Sequence, residues 1–543
     1  MTEAADVVLL DGEVHTLAGS STDDSTDAAV GDVVDVHEAV AIRDGEIVRV
    51  GRTVEVEHLQ GVETTVIDCA GRTVVPGFVD AHTHMETQGL YLVHADLSDA
   101  ESLSDALAAL ERQAETGREW ILGFGYDESG WPESRYPTRE DLDAVSEERP
   151  VVAMRVDMHT ASLNSVALDR MRPKLPAEDV RTENGEPTGV VVEDAATEVW
   201  SGSEDSDAET RELVTAAIDH ATSLGVTSVH EKVRNSRAPR IYRELDRDGD
   251  LDCRVRLDYW SDHLETAIDV GLATNAGSDF VRTGGIKSFT DGSIGARTAK
   301  LFEPYEDVDA EADVSADDAT ESASAGDADD GRGQWVVEPD ELREIADRAV
   351  DHDFQLTVHA IGDEAIGAAI DVLADTDTVG SARHRIEHVE LATDEQLGRM
   401  ADAGIVASMQ PNFHQWANPG GLYDQRLGER RRTRSNRLRT VVDAGVHLAF
   451  GSDSMPLDPL LGVHHAVNAP GASQRLSVTE AIRAYTIGAA YAGFDDDRLG
   501  TIEVGKRADL AVLEDSPWAE PDSIDEIDVA ATLVDGSLVH DRL

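Results

Sequence analysis

Lysine is nearly missing from this 543-residue chain: five of its 46 basic residues are lysine (Lys174, Lys232, Lys287, Lys300 and Lys506), against 109 acidic ones. The net charge of −63 argues against a nucleic-acid partner, because a phosphate backbone is met by positive charge. Cysteine is also scarce. Cys69 and Cys253 make no disulfide framework and read as small hydrophobes in strand-like segments. No apolar run reaches the ~18 residues needed to span a bilayer, so no membrane partner is expected. Residues Met1–Asp6 lack the basic start of a secretory signal, and the chain reads as soluble and cytoplasmic. At about 1 M ionic strength the Debye length falls to about 3 Å. Self-repulsion of the acidic surface is then screened, and the composition resembles that of halophilic archaeal proteins.

What is present is alternation. Short strands occupy the first 73 residues: Val7–Leu10, Glu38–Ile42, Glu46–Val50 and Thr65–Asp68. Ala508–Leu513 and Ala530–Gly536 repeat that style near the other end. Segments 1–73 and 495–543 are therefore expected to combine into one small β-sandwich, with residues 74–494 inserted between them. That middle alternates strand and helix, the mark of a parallel α/β fold. A strand entered at Thr73–Phe78 runs to His84, and seven more follow: 226–230, 254–259, 285–289, 355–359, 384–388, 405–409 and 448–453. Helices are expected at Glu341–His352 and Asp394–Ala403. Eight such strands predict a distorted (β/α)8 barrel. An insertion, 86–195, lies between the first two strands and is expected to shape a pocket. Two stretches without lysine or arginine, about 19–37 and 306–330, read as solvated acidic loops.

Metal-binding residue types stand at the ends of five of these strands: His82 and His84, Lys287, His359, His388 and Asp453. His82 and His84 are two apart, so an extended strand points both the same way. Imidazole is a good ligand for zinc and related divalent ions. The C-terminal strand ends of a barrel meet at one mouth, which makes the set a candidate centre for one or two metal ions. Lys287 lies in an interior segment, where a bare ammonium is costly. Either an ion pair or carboxylation to a metal-ligating carbamate would relieve that cost. Asp453 can ligate metal and carry a proton. His230 is expected near the same mouth as a further catalytic residue, alongside Asp453 and His388. Tyr126, Trp131, His159, Asn412 and Arg430 are candidate substrate-binding residues.

The motifs Val75–His84, Thr290–Thr298, His359–Asp363, Arg385–His388, Gly451–Ser454 and Gly500–Leu510 resemble the amidohydrolase superfamily. The similarity is to its amidohydrolase-3 branch, which is YtcJ-like and related to N-substituted formamide deformylase. That resemblance implies hydrolysis of a carbon–nitrogen bond in a small, non-peptide amide by metal-bound hydroxide. It further implies that His82 and His84 hold one metal, that His359 and His388 hold a second, and that carboxylated Lys287 bridges them. Asp453 would complete the first site and shuttle the proton, and a homodimer is a reasonable assembly. The alternatives are a mononuclear, deaminase-type member and a non-catalytic regulatory or scaffold relative.

Overall fold

All eight expected barrel strands lie in one parallel sheet of the computed structural model, which describes residues 4–19, 35–203, 206–308, 331–376 and 380–543. In chain order they are β1 (Phe78–Thr83), β2 (Val226–Val233), β3 (Arg254–Trp260) and β4 (Val281–Phe289). They continue as β5 (Gln355–Ala360), β6 (Arg385–His388), β7 (Val406–Met409) and β8 (Leu448–Phe450). Each strand pairs with the next in sequence. The sheet comes round on itself: beyond β8, the Asp453 amide donates to the His82 carbonyl at 2.8 Å. A barrel strand has helices on its outer face and packed side chains on its inner one, and every residue of β1, β2 and β5 is buried. One of the crossover helices, Asp394–Ala403, falls where expected. Thr393 and Gln396 form a capping box at its start, and left-handed Gly404 ends it.

The run into β1 differs from expectation. Thr73–Pro76 is not the start of the barrel strand; it pairs antiparallel with Leu510–Leu513. It belongs to a six-stranded sheet that also holds Glu13–His15, Val36–His37, Val529–Val534 and Ser537–Asp541. Gly77 alone separates it from β1, and a Cβ there would stand 2.3 Å from the Thr227 side chain. Only glycine allows so close a passage. A four-stranded sheet of Val7–Leu10, Ala39–Arg43, Glu46–Gly51 and Thr65–Asp68 packs on this one through Leu9, Val40, Ile42, Val74, Val512 and Leu533. Both chain ends thus build one sandwich.

Met85–Ile218 is a separate compact unit, longer than the insertion expected at 86–195. Its six-stranded sheet includes Ile121–Tyr126, Val151–Arg155 and Thr160–Leu163. Most of the two acidic stretches, 20–34 and 309–330, lies outside the described residues. Among the described residues no helix is long and apolar enough to cross a membrane.

Candidate metal centre

Alternation along β1 puts Asp80, His82 and His84 on one face, in line with the mouth. One ligand atom from each of His82, His84 and Asp453 lies within 4.8 Å of the others. Asp453 Oδ1 is 3.5 Å from His82 Nε2 and 3.2 Å from His84 Nε2. The backbone is held in an unusual shape to deliver that carboxylate: Asp453 and Ser454 have φ of +58° and +56°. Left-handed backbone at non-glycine residues costs of order 1–3 kcal/mol and persists where surrounding contacts impose it. Here the His84 amide donates to Ser454 Oγ at 3.0 Å, and Asp80 Oδ1 accepts from the Ser452 amide at 2.9 Å.

His359 and His388 continue the cluster. Ring centroids of His82 and His388 are 5.1 Å apart, and those of His388 and His359 are 4.4 Å apart. On β6, Arg385 and Glu387 share the interior face, so strict alternation would turn His388 away. Positive φ at His388 (+78°) and Val389 (+53°) breaks the alternation, and both Glu387 and His388 are buried.

Hydrogen bonds fix which ring nitrogen is free. A carboxylate or carbonyl can only accept, so the partnered nitrogen carries the proton and the other keeps its lone pair. Glu387 Oε2 accepts from His82 Nδ1 at 2.6 Å, and Gln410 Oε1 accepts from His388 Nδ1 at 2.7 Å. The Gly292 carbonyl accepts from His359 Nε2 at 2.9 Å. The lone pairs left are Nε2 of His82, Nε2 of His388 and Nδ1 of His359. Burial, with Lys287 nearby, holds His82 well below the usual imidazole range. Burial with His359 alongside does the same to His388, and burial lowers His359 to about 3. All three rings are neutral, the form that ligates metal. Burial opposes ionisation of Asp453, but the hydrogen bond from His84 helps to outweigh it, and the carboxyl is held at about 2. Neutral imidazoles with free lone pairs around an ionised carboxylate fit a divalent cation.

The amidohydrolase family model (Amidohydro_3) matches residues 65–540. The chain belongs to the amidohydrolase family. It is 29% identical over 533 residues to the YtcJ protein of Bacillus subtilis (strain 168), covering 93% of this chain and 96% of that one. To the N-substituted formamide deformylase of Arthrobacter pascens it is 26% identical over 581 residues, covering 100% of this chain and 99% of that one. An uncharacterized metal-dependent hydrolase from Pyrococcus furiosus superposes with a TM-score of 0.75 at 29% identity, covering 94% and 99% of the two chains.

Other candidate residues of this amidohydrolase lie elsewhere. His230 is not at the mouth. β2 runs on to Val233, and the inward residue nearer the mouth is Lys232, whose Nζ is 2.5 Å from Asp258 Oδ2. His230 lies a layer below, its Nδ1 accepting from Arg385 Nη1 at 2.8 Å. Tyr126 and Trp131, expected in the pocket, are core residues of the Met85–Ile218 unit, with rings 5.6 Å apart. His159 is exposed in that unit, its Nδ1 3.2 Å from Glu193 Oε2. Asn412 is buried and donates to the Pro456 carbonyl at 2.8 Å, tying the loops after β7 and β8 together. Arg430 is a surface residue paired with Glu303. Lys287 is buried with no ion-pair partner among the described residues. Its Nζ stands 4.8 Å from the Phe289 ring centroid, and burial lowers it to about 7.

Several important neighbours of the amidohydrolase centre were not foreseen. Glu387 and Gln410 orient two imidazoles, while Phe289 and Phe413 flank the cluster at 4.9 Å from His359 and 5.9 Å from His388. The available signal was the i, i+2 pair Arg385 and Glu387, two opposite charges on one face of a buried strand.

Proposed function

We propose that this amidohydrolase hydrolyses the carbon–nitrogen bond of a small, non-peptide amide with the help of one or two divalent ions, zinc foremost. The observation that carries the reading is the convergence of His82, His84 and Asp453 from opposite ends of the barrel sequence. These three would hold one ion, and His359 with His388 a second. The unpaired Lys287 amine is suited to add to carbon dioxide, losing one proton, and the resulting carbamate would offer anionic oxygen to a bound ion. A bound divalent ion lowers the pKa of water to about 7 and polarises a carbonyl oxygen.

The chain's own groups supply the rest. Glu387, Gln410 and the Gly292 carbonyl keep lone pairs of the imidazoles aimed inward, so little reorganisation is needed when charge develops. Asp453 faces His82 and His84 and would take the proton of the attacking water, then return it to the departing nitrogen. Phe289 and Phe413 give the site apolar walls suited to an uncharged amide.

A second reading, a mononuclear deaminase-type enzyme, draws on the compactness of the His82–His84–Asp453 group alone. Metal analysis of protein purified in high salt bears on both: two equivalents exclude the second reading, one is compatible with either, and none supports a scaffold without catalysis. The activity test is a screen of N-acyl and formamide compounds for released amine. Asp453→Asn should lower kcat by about 10²–10⁴, and unchanged turnover would refute the proton role.

A further inference from the structure

The sequence motif Thr290–Thr298 is barely used by the metal centre, to which it lends only the Gly292 carbonyl. Its second residue, Asp291, is fully buried just beyond the end of β4. A carboxylate in that position is costly unless donors meet it. Three backbone amides do. Oδ1 accepts from the Ile361 amide at 3.1 Å, and Oδ2 accepts from the amides of Gly362 and Lys300, both at 2.8 Å. Burial pushes the carboxyl up to about 7 against the pull of those amides, so it is ionised in mildly alkaline solution.

The three donors come from two segments. Lys300 lies in the loop after β4, the strand of Lys287, while Ile361 and Gly362 form the turn after β5, the strand of His359. The carboxylate therefore pins one segment to the other. They pass so close that a Cβ on Gly362 would collide with the Lys300 carbonyl, an approach that glycine permits. The same stretch grips His359 at both ends. Its backbone carbonyl accepts from the Thr290 amide at 2.9 Å and from the Thr290 hydroxyl at 2.7 Å. Its ring Nε2–H is held by the Gly292 carbonyl, and Asp291 Oδ1 stands 3.7 Å from that nitrogen. This is too long for a hydrogen bond, yet an anion there makes the Nδ1 lone pair a better donor to a cation.

We propose that Asp291 is a positioning residue for the second ion, locking the His359 end of β5 to the loop after β4 without touching the ion itself. His82 and His84 stand on and just beyond β1, and Asp453 follows β8, so the first ion is independent of this lock. The inference rests on the two-ion reading given above and names the residue on which the second ion's affinity turns.

The test titrates cobalt(II) into the metal-free full chain at about pH 8 and about 2 M KCl, against a competing chelator, and follows the visible absorption of the bound ion. Fewer than two equivalents in the natural protein overturns the two-ion reading and this inference with it. With two bound, Asp291→Asn should loosen one ion by about 10–100-fold and leave the other unchanged. Whichever oxygen the amide nitrogen replaces, it confronts at least one backbone N–H, and the charge beside His359 is gone. His359→Ala, which removes the ligand, shows which step belongs to the second ion. If Asp291→Asn binds both ions as tightly as the natural protein, or loosens both equally, Asp291 is a structural residue only and the proposal falls. Should that variant not fold, Gly362→Ala keeps the carboxylate and forces apart the two segments that it joins. The same selective loss is expected there, and two equal or undiminished affinities reject the proposal.

Discussion

Glu387→Gln tests whether the interior carboxylate governs metal binding without touching the metal. Glu387 accepts His82 Nδ1 at 2.6 Å and pairs with Arg385 at 2.9 Å, all within the buried barrel. The amide keeps the shape but not the charge, and its NH₂ must face either the histidine or the guanidinium, both donors. Losing an orienting partner of this kind lowers metal affinity by about 10–100-fold, equivalent to about 1.4–2.7 kcal/mol. Arg385 is also left without its counter-charge, which costs about 3–5 kcal/mol in the folded protein. Two effects of different size should therefore appear together: weaker zinc retention against a competing chelator, and a lower melting temperature of the metal-free protein. Glu387→Asp keeps the charge, so it should recover much of the stability and little of the affinity. If Glu387→Gln folds, melts lower and yet holds zinc as tightly as the natural protein, Glu387 is a structural counter-ion and its orienting role is refuted.

Three further outcomes follow from the same geometry. Burial holds His384 and His414 at about 4, whereas their unfolded counterparts titrate near 6.5. Both therefore favour the folded state fully above about pH 6.5, and that contribution is lost as pH falls toward 4. Each accounts for about 2 kcal/mol by pH 5, so His414→Phe should flatten the acid limb of a stability-versus-pH curve. With a net charge of −63, the melting temperature should climb between ~0.1 M and ~2 M KCl as the Debye length shrinks; a flat response would contradict the screening account. Phe413→Ala removes the ring stacked 5.9 Å from His388. It should raise KM for apolar amides more than it lowers kcat, and a pure kcat loss would show that the ring positions His388 instead.

The barrel is legible because its strands carry short apolar runs with metal-binding residue types near their C-terminal ends. His82, His84, His359, His388 and Asp453 were each readable as polar residues closing a hydrophobic run. His230 departs from expectation because a polar residue does not by itself end a strand. β2 continues past His230 through Glu231 and Lys232 to Val233, because Lys232 finds Asp258 beside it on the neighbouring strand β3. That pairing is a tertiary event that no local pattern announces. Glu387 escaped notice for the same reason, its partners being 305 residues away at His82 and next-but-one at Arg385. A long insertion after the first barrel strand suggests a pocket, yet Tyr126 and Trp131 fill that unit's own core, where large rings gain most from leaving water. The left-handed turn at His388 has no signature in residue type, since glycine or asparagine would be the usual occupants.

The single-residue hinge at Gly77 has a practical meaning. Thr73–Pro76 is stitched to Leu510–Leu513 on one side of that glycine and passes directly into the strand bearing His82 and His84 on the other. Trimming the tail would strip this lead-in of its neighbour and slacken the histidines at the far end of the next strand. The C-terminal strand Leu510–Leu513 thus bears on the histidine pair mechanically, through the segment that leads into it.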